Sequence, residues 1–224
     1  TQNSLTFERL ITASSKFSIS IYEKSYQQAP VYKDEKSKIQ DLSFLMDRFQ
    51  ILGDLTSDGT AKAIGIEFLI EKKRAENFYG HIGGTLFNAI YKDLNGDTRN
   101  RDYNYRYIFN IVGGYRPKEK WEISVRWSLF GGKPYTPIDE LLSSKLGYEV
   151  LFEDQNNEEK TPVYHSLFIR YDYRKNYGFG NLIGYMELWN AYNRKNIENY
   201  FWDSGLKEET YFNLIPVVGL ELEF

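Results

Sequence analysis

"WEISVRWSL", Trp121 to Leu129, divides into two sets of side chains. Trp121, Ile123, Val125, Trp127 and Leu129 alternate with Glu122, Ser124, Arg126 and Ser128. Successive side chains of a strand point to opposite faces, so this period of two predicts a strand with one apolar and one polar face. The pattern recurs in "AIGIEFLIEKK" (63–73), where Ile64, Ile66, Phe68 and Ile70 oppose Gly65, Glu67, Leu69 and Glu71. It returns in "YRYIFNIVGGY" (105–115) and in "SLFIRYDYR" (166–174).

Such segments predict roughly nine strands of about 8 to 14 residues. They lie near 5–12, 16–26, 61–73, 78–91, 105–117, 121–132, 164–177, 180–193 and 210–224. Helical periodicity is not sustained, except that "DEKSKIQDLSFLMDRFQIL" (34–52) reads equally as a short helix or as an irregular loop. The connections alternate in length. Those at 13–16, 74–77, 117–120 and 175–181 are short polar or Gly/Pro turns, and those at 27–60, 92–104, 133–163 and 194–209 are long. A soluble sandwich has no reason to sort its loops this way, whereas outer-membrane barrels join strands by short periplasmic turns and long external loops. Ile, Val, Leu and Phe on one face, with Tyr and Trp toward the strand ends, suit a lipid-facing wall.

Composition narrows the function classes. The 224 residues suffice for one domain, and a formal charge of −3 gives no global field to gather nucleic acid. The chain has no cysteine, so disulfides, thiolate metal sites and a cysteine nucleophile are excluded. No run of about 18 apolar residues occurs, and the first residues lack the basic-then-apolar order of a signal peptide. Any such signal is expected to be removed or to lie outside this chain. An aromatic content of 17%, with 19 tyrosines, points to a surface where rings are half apolar and half wet: a sheet face, a sugar-binding surface or a membrane interface.

Four segments together resemble the TonB-dependent outer-membrane transporters, of the Bacteroidetes-like kind. They are "GIEFLIEKKRAENFYGHIGGTLFNAIYKD" (65–93), "NIVGGYRPKEKWEISVRWSLFGGKPYTP" (110–137), "LFIRYDYRKNYGFGNLIGYMELWNAYNRKN" (167–196) and the closing "PVVGLELEF". Each is a hairpin pattern, and their order and spacing carry the likeness over nearly the whole chain. The resemblance implies an all-β, antiparallel transmembrane barrel segment of about nine strands, residues 1–224 being the C-terminal barrel portion. The family's barrel has about 22 strands around a plug. Neither plug nor TonB box is recognisable in this sequence. The implied function is energy-coupled uptake across the bacterial outer membrane. Its implied partners are outer-membrane lipid, the barrel-assembly machinery, the TonB complex through an N-terminal part, and an unspecified substrate.

Residues on the predicted polar face form the candidate lumen-facing binding set: Glu67, Arg106, Arg126, Arg170, Asp172, Arg174 and Glu187. They would hold a plug or a polar solute by ion pairs, or form a self-compensating solvated wall. Asp93, Asn95 and Asp97 in "KDLNGDTRNRD" start like a calcium loop, but Gly96 falls between ligands and no Glu stands at the twelfth position. His81 and His165 are far apart and have no metal-set spacing, and no cofactor motif is present. No GxSxG occurs, and neighbouring His165 and Ser166 fall on opposite faces, so an enzyme is not expected. The aromatics Tyr135, Tyr148, Tyr164, Tyr200, Phe201 and Trp202 are candidates for stacking on a sugar or for girdle anchoring. At the C-terminus, Gly219, Leu222 and Phe224 partly match the barrel-assembly signal. Two alternatives remain at this point: a self-contained small barrel acting as anchor, adhesin or assembly component, and a soluble sandwich that binds carbohydrate.

Overall fold

The computed structural model describes residues 1–32, 55–92, 94–152 and 154–224. The segment 34–52, with its helix-or-loop alternative, lies outside them. In chain order the elements are β1 (Gln2–Thr12), β2 (Ser15–Tyr32), β3 (Leu55–Lys72), β4 (Phe78–Lys92), β5 (Thr98–Asn100), β6 (Tyr107–Lys118) and β7 (Trp121–Phe130). There follow β8 (Pro134–Tyr135), α1 (Glu140–Leu146), β9 (Glu159–Lys160), β10 (Tyr164–Asn176), β11 (Asn181–Trp189), β12 (Ile197–Trp202), β13 (Leu206–Thr210) and β14 (Ile215–Glu223).

All nine predicted strands form. They build one antiparallel sheet in the order β1-β2-β3-β4-β6-β7-β10-β11-β14, and β5 adds to β4. Short turns alternate with long connections, so the short ones share one end of the sheet and the long ones the other. The long connections carry additional structure. The segment 133–163 pairs β8 with β9 and contains α1, while 194–209 holds most of the β12–β13 hairpin. A seven-residue helix is too short for its periodicity to stand out. Its caps define it instead: Asp139 accepts the Leu142 N–H at 2.9 Å, and Gly147 closes it in the left-handed region at φ 78°.

The register aligns the alternation across the whole sheet. Phe17, Ile70, Ile82, Ile111, Trp127 and Leu167 stand in one row, each directly opposite the next. Among the described residues nothing packs on this apolar face. Leu5, Val218 and Leu220 are each 76% exposed, and among the described residues the buried apolar side chains are few: Val31, Tyr91, Pro134, Ile138 and Ile183. A sandwich would bury such a face against a second sheet, so the soluble-sandwich alternative is not what forms. Among the described residues β1 pairs only with β2 and β14 only with β11. The sheet is therefore open, which also differs from a small closed barrel.

A recurring cross-strand pair shapes both faces. Tyr22, Tyr79, Phe109 and Tyr185 each lie directly opposite a glycine, namely Gly65, Gly114, Gly84 and Gly219. At Gly114 an added Cβ would stand 2.1 Å from Cζ of Tyr79, so the ring occupies the space a side chain would need. This lets the Tyr79 hydroxyl donate to Glu122. Gly114→Ala should displace that ring and cost about 1–3 kcal/mol. In a Tyr79→Ala background the same substitution should cost little more, a non-additivity measurable by denaturant midpoints in a double-mutant cycle. Additive losses would show that the ring and the glycine are independent.

Candidate functional site

Strand register brings polar residues of three strands together. Arg170 and Asp172 are two apart on β10 and so share a face, Glu187 on β11 lies directly opposite Arg170, and Tyr185 lies opposite Asp172. The Arg170 guanidinium donates from Nε to both Asp172 oxygens at 2.8 and 3.0 Å, and from Nη2 to Asp172 Oδ1 at 2.6 Å. Nη1 donates to Glu187 Oε1 at 2.7 Å, and Glu221 of β14 approaches Nη2 at 3.9 Å. Below it the Tyr185 ring lies 4.1 Å away, seated over Gly219. Glu187 also accepts the Trp189 indole N–H at 2.7 Å. Three carboxylates around one guanidinium make a local excess of negative charge within a fixed hydrogen-bond frame.

The remaining candidates distribute around this cluster. Arg126 on β7 lies opposite Phe168, with its guanidinium 4.1 Å from the ring, and Phe168, Trp189 and Phe212 form an aromatic group beside it. Arg174 stands 3.8 Å from Glu223, and its buried Nε has no hydrogen-bond partner. Glu67 is three strands away from β7, exposed between Ser20 and Thr85. Arg106 was expected inside a strand spanning 105–117. It precedes β6 in the left-handed region at φ 70°, a conformation that interrupts a ladder, and its Nη2 reaches Asn100 Oδ1 at 3.3 Å in the loops.

Asp93 of the proposed calcium loop lies outside the described residues. Asn95 and Asp97 occupy the connection to β5, with Asp97 3.7 Å from Arg99. Among the described residues no three potential ligand side chains gather as a metal set. His165 Nδ1 and the Tyr192 hydroxyl share a hydrogen bond at 2.7 Å, while the Ser166 hydroxyl is buried on the other face. Leu222 lies on the apolar side of β14, Phe224 follows the strand's last residue fully exposed, and Gly219 forms the floor beneath Tyr185.

Asparagines organise the end with long connections. Asn100 and Asn157 exchange amide-to-carbonyl hydrogen bonds at 3.0 Å each, joining the β5 segment to the segment before β9. Asn104, fully buried, accepts the Ala89 N–H at 3.0 Å and donates to Asn88 and Asn100. Asn196 accepts the His165 N–H at 3.1 Å and donates to its carbonyl at 3.0 Å, standing where a neighbouring strand would pair. Tyr135 and Tyr200 rings meet at 5.0 Å, and Trp202 N–H donates to Glu149, so the two longest described connections touch. Tyr164 stacks on Phe130 at 5.0 Å and meets Tyr211 edge-on. Burial raises the phenol pKa values of Tyr105 and Tyr211, keeping both protonated. None of these asparagines is marked out in the sequence, since an Asn in a polar loop carries no sign of burial.

No protein-family model matches the sequence, and no curated protein does. Solved structures do. The ferric-catecholate import receptor Fiu of E. coli K12 matches with a TM-score of 0.64 and 13% identity, over 100% of this chain and 28% of that one. The ferripyoverdine receptor of the Pseudomonas aeruginosa outer membrane matches at 0.65 and 12%, over 100% and 27%. The ferric yersiniabactin uptake receptor FyuA of Yersinia pestis matches at 0.62 and 14%, over 100% and 30%. Identities this low show the fold alone: the sheet matches part of the barrel of TonB-dependent outer-membrane receptors, without their plug among the described residues. The chain spans about 28% of the length of the receptor it matches in E. coli.

Two measurements probe the geometry. Arg170→Met leaves Asp172 and Glu187 together without their cation, and should lower stability by about 1–3 kcal/mol. Adding Asp172→Asn and Glu187→Gln should recover part of that loss, and a single variant as stable as the parent would remove Arg170 as the centre of the cluster. Asn100→Ala and Asn157→Ala should each speed proteolytic nicking between 94 and 163. The double variant should be little faster than either single one, because each breaks the same link; additive rates would show separate roles.

Proposed function

We propose that this chain is the C-terminal barrel portion of a TonB-dependent outer-membrane transporter, which takes up a solute too large or too scarce for diffusion. The observation that carries this reading is the uncovered apolar face and its height. On β3 it runs from Lys62 through Ile64, Ile66, Phe68 and Ile70 to Lys72, so cations bracket it at both ends. That distance is about 33 Å of strand at about 3.3 Å per residue. A tilt of about 40° reduces it to about 25 Å, the height of the apolar band on outer-membrane barrels.

On this reading the apolar face meets lipid, the short turns face the periplasm and the long connections face outward. The Arg170 cluster, Arg126 and Arg174 then look into the barrel, where a plug or a passing polar solute would meet them. Gly219, Leu222 and Phe224 serve recognition by the barrel-assembly machinery. The TonB complex acts through an N-terminal part of the protein, and the loop aromatics form part of the outer surface a substrate first touches.

The test uses the intact protein in its own cells. It should fractionate with the outer membrane and change gel mobility on heating. Deleting its gene should abolish growth on one limiting nutrient among a panel of metal chelates, cobalamin, glycans and peptides, and inactivating the TonB complex should do the same. Recovery of the protein in the soluble fraction, or uptake that persists without the TonB complex, would overturn the proposal.

A further inference from the structure

The strands that run toward the short turns carry a repeated feature. Arg9 on β1, Lys72 on β3, Lys118 on β6 and Lys175 on β10 are all exposed, and each lies within a few residues of its turn. All four are on the apolar face. Arg9 is directly opposite Phe17, Lys72 is two residues beyond Ile70, and Lys175 is opposite Leu182. Lys118 comes onto this face through the register shift after Tyr115, which sets it opposite Trp121.

Among the described residues none of the four has an ion-pair partner; Lys175 lies 5.0 Å from the Tyr177 ring centroid. The strand acids nearest this end of the sheet face the other way, and Glu76 and Glu119 lie in the turns with Lys73, Arg74 and Lys120. Glu8, paired with Lys16, shares the polar face with Glu71 and Glu122. At the opposite end of the apolar face Lys62 is neutralised by Glu23 at 2.5 Å, which leaves Lys92 as the one exposed cation there without an ion pair among the described residues. Aromatic rings accompany the unpaired cations: Phe78 stacks on Tyr115 at 4.5 Å, and Tyr115 meets Trp121 edge-on at 5.8 Å.

We propose that these four cations form a belt that holds anionic phospholipid headgroups in the periplasmic leaflet. The inference rests on the membrane-barrel reading above. Each side chain lays its apolar stem along the hydrocarbon boundary and carries its charge to headgroup depth. A zwitterionic headgroup balances its own phosphate, whereas a net-negative one compensates an unpaired lysine or arginine. A soluble periplasmic protein would instead meet Lys73, Arg74 and Lys120, which lie in the turns themselves.

The intact protein, extracted from its membrane in mild detergent, would be analysed for co-purifying lipid by mass spectrometry. Phosphatidylglycerol should be enriched severalfold over phosphatidylethanolamine relative to the bulk membrane. The variant R9Q/K72Q/K118Q/K175Q should fall to the bulk ratio, while the turn variant K73Q/R74Q/K120Q should keep the enrichment. Enrichment retained in the first variant, or lost only in the second, overturns the belt. Heat-dependent gel mobility verifies insertion. Should the fourfold variant fail to insert, the pairs R9Q/K72Q and K118Q/K175Q should each lose part of the enrichment, and an unchanged ratio in both overturns the belt equally. A parent protein found in the soluble fraction would overturn the membrane reading, and the belt with it; a membrane-inserted parent without enrichment overturns the belt alone.

Discussion

One constraint governs the structure: a sheet of nine long strands exposes a continuous apolar face that no part of the described chain covers. Inner strands satisfy their backbone hydrogen bonds within the sheet, so the unmet requirement is an apolar surrounding for the side chains. An exposed patch of this extent is foreign to a soluble monomer. The positions of the charges on that face follow from it. Arg9, Lys72, Lys118 and Lys175 lie toward one end and Glu23, Lys62 and Lys92 toward the other, leaving Ile66, Phe68, Ile82 and Ile111 uninterrupted between them. Charges are absent from the middle of this face among the described residues and gather at both rims, where a polar surrounding is within reach of a long side chain.

The same register that lines up the apolar rows builds the polar cluster. Residues 170, 187 and 221 lie on three strands, and only antiparallel pairing in this register brings their side chains to one guanidinium. A shift of one residue would turn Glu187 to the apolar face and leave Arg170 facing Met186 or Leu188 instead. The cluster therefore opposes slippage as well as occupying the polar wall. Gly219 contributes by having no side chain, since Tyr185 can lie flat enough for Arg170 to cover it only where its partner leaves space.

Strand number, order of faces and loop alternation were legible because period-two patterning is local and strong across 63–73, 105–115, 121–129 and 166–174. Strand ends were less so. The strand expected to reach 193 ends at Trp189, because fully buried Asn190 adopts φ 52°, accepts the Arg194 N–H and donates to the Phe212 carbonyl. Arg106 illustrates the same limit: its parity predicts an inward strand position, but its left-handed backbone turns it out of the strand even as its carbonyl accepts the Phe87 N–H at 2.9 Å. The Arg170 cluster was half legible, since parity identified which residues share a face while only pairing across strands shows which of them touch. The glycine–aromatic pairs were not legible, because the ring and the glycine it covers can stand more than 40 residues apart, as Tyr22 and Gly65 do.

The two ends of the sheet are stabilised by different means. Between the rims, stability depends on an apolar surrounding, whereas the described parts of the long connections are joined to one another by amide hydrogen bonds. Asparagine suits this because one side chain offers both a donor and an acceptor in the geometry of a peptide group. At Asn196 that equivalence is literal, its amide pairing with both backbone groups of His165. At Asn100 and Asn157 it joins two connections that meet 57 residues apart in sequence. Links of this kind fix the loops before any ligand arrives, so recognition there would not have to supply the ordering of the backbone. Should the proposed uptake hold, discrimination among ligands at this end would reside in which side chains the linked loops present, such as Tyr103 and Tyr148, both exposed, rather than in loop closure.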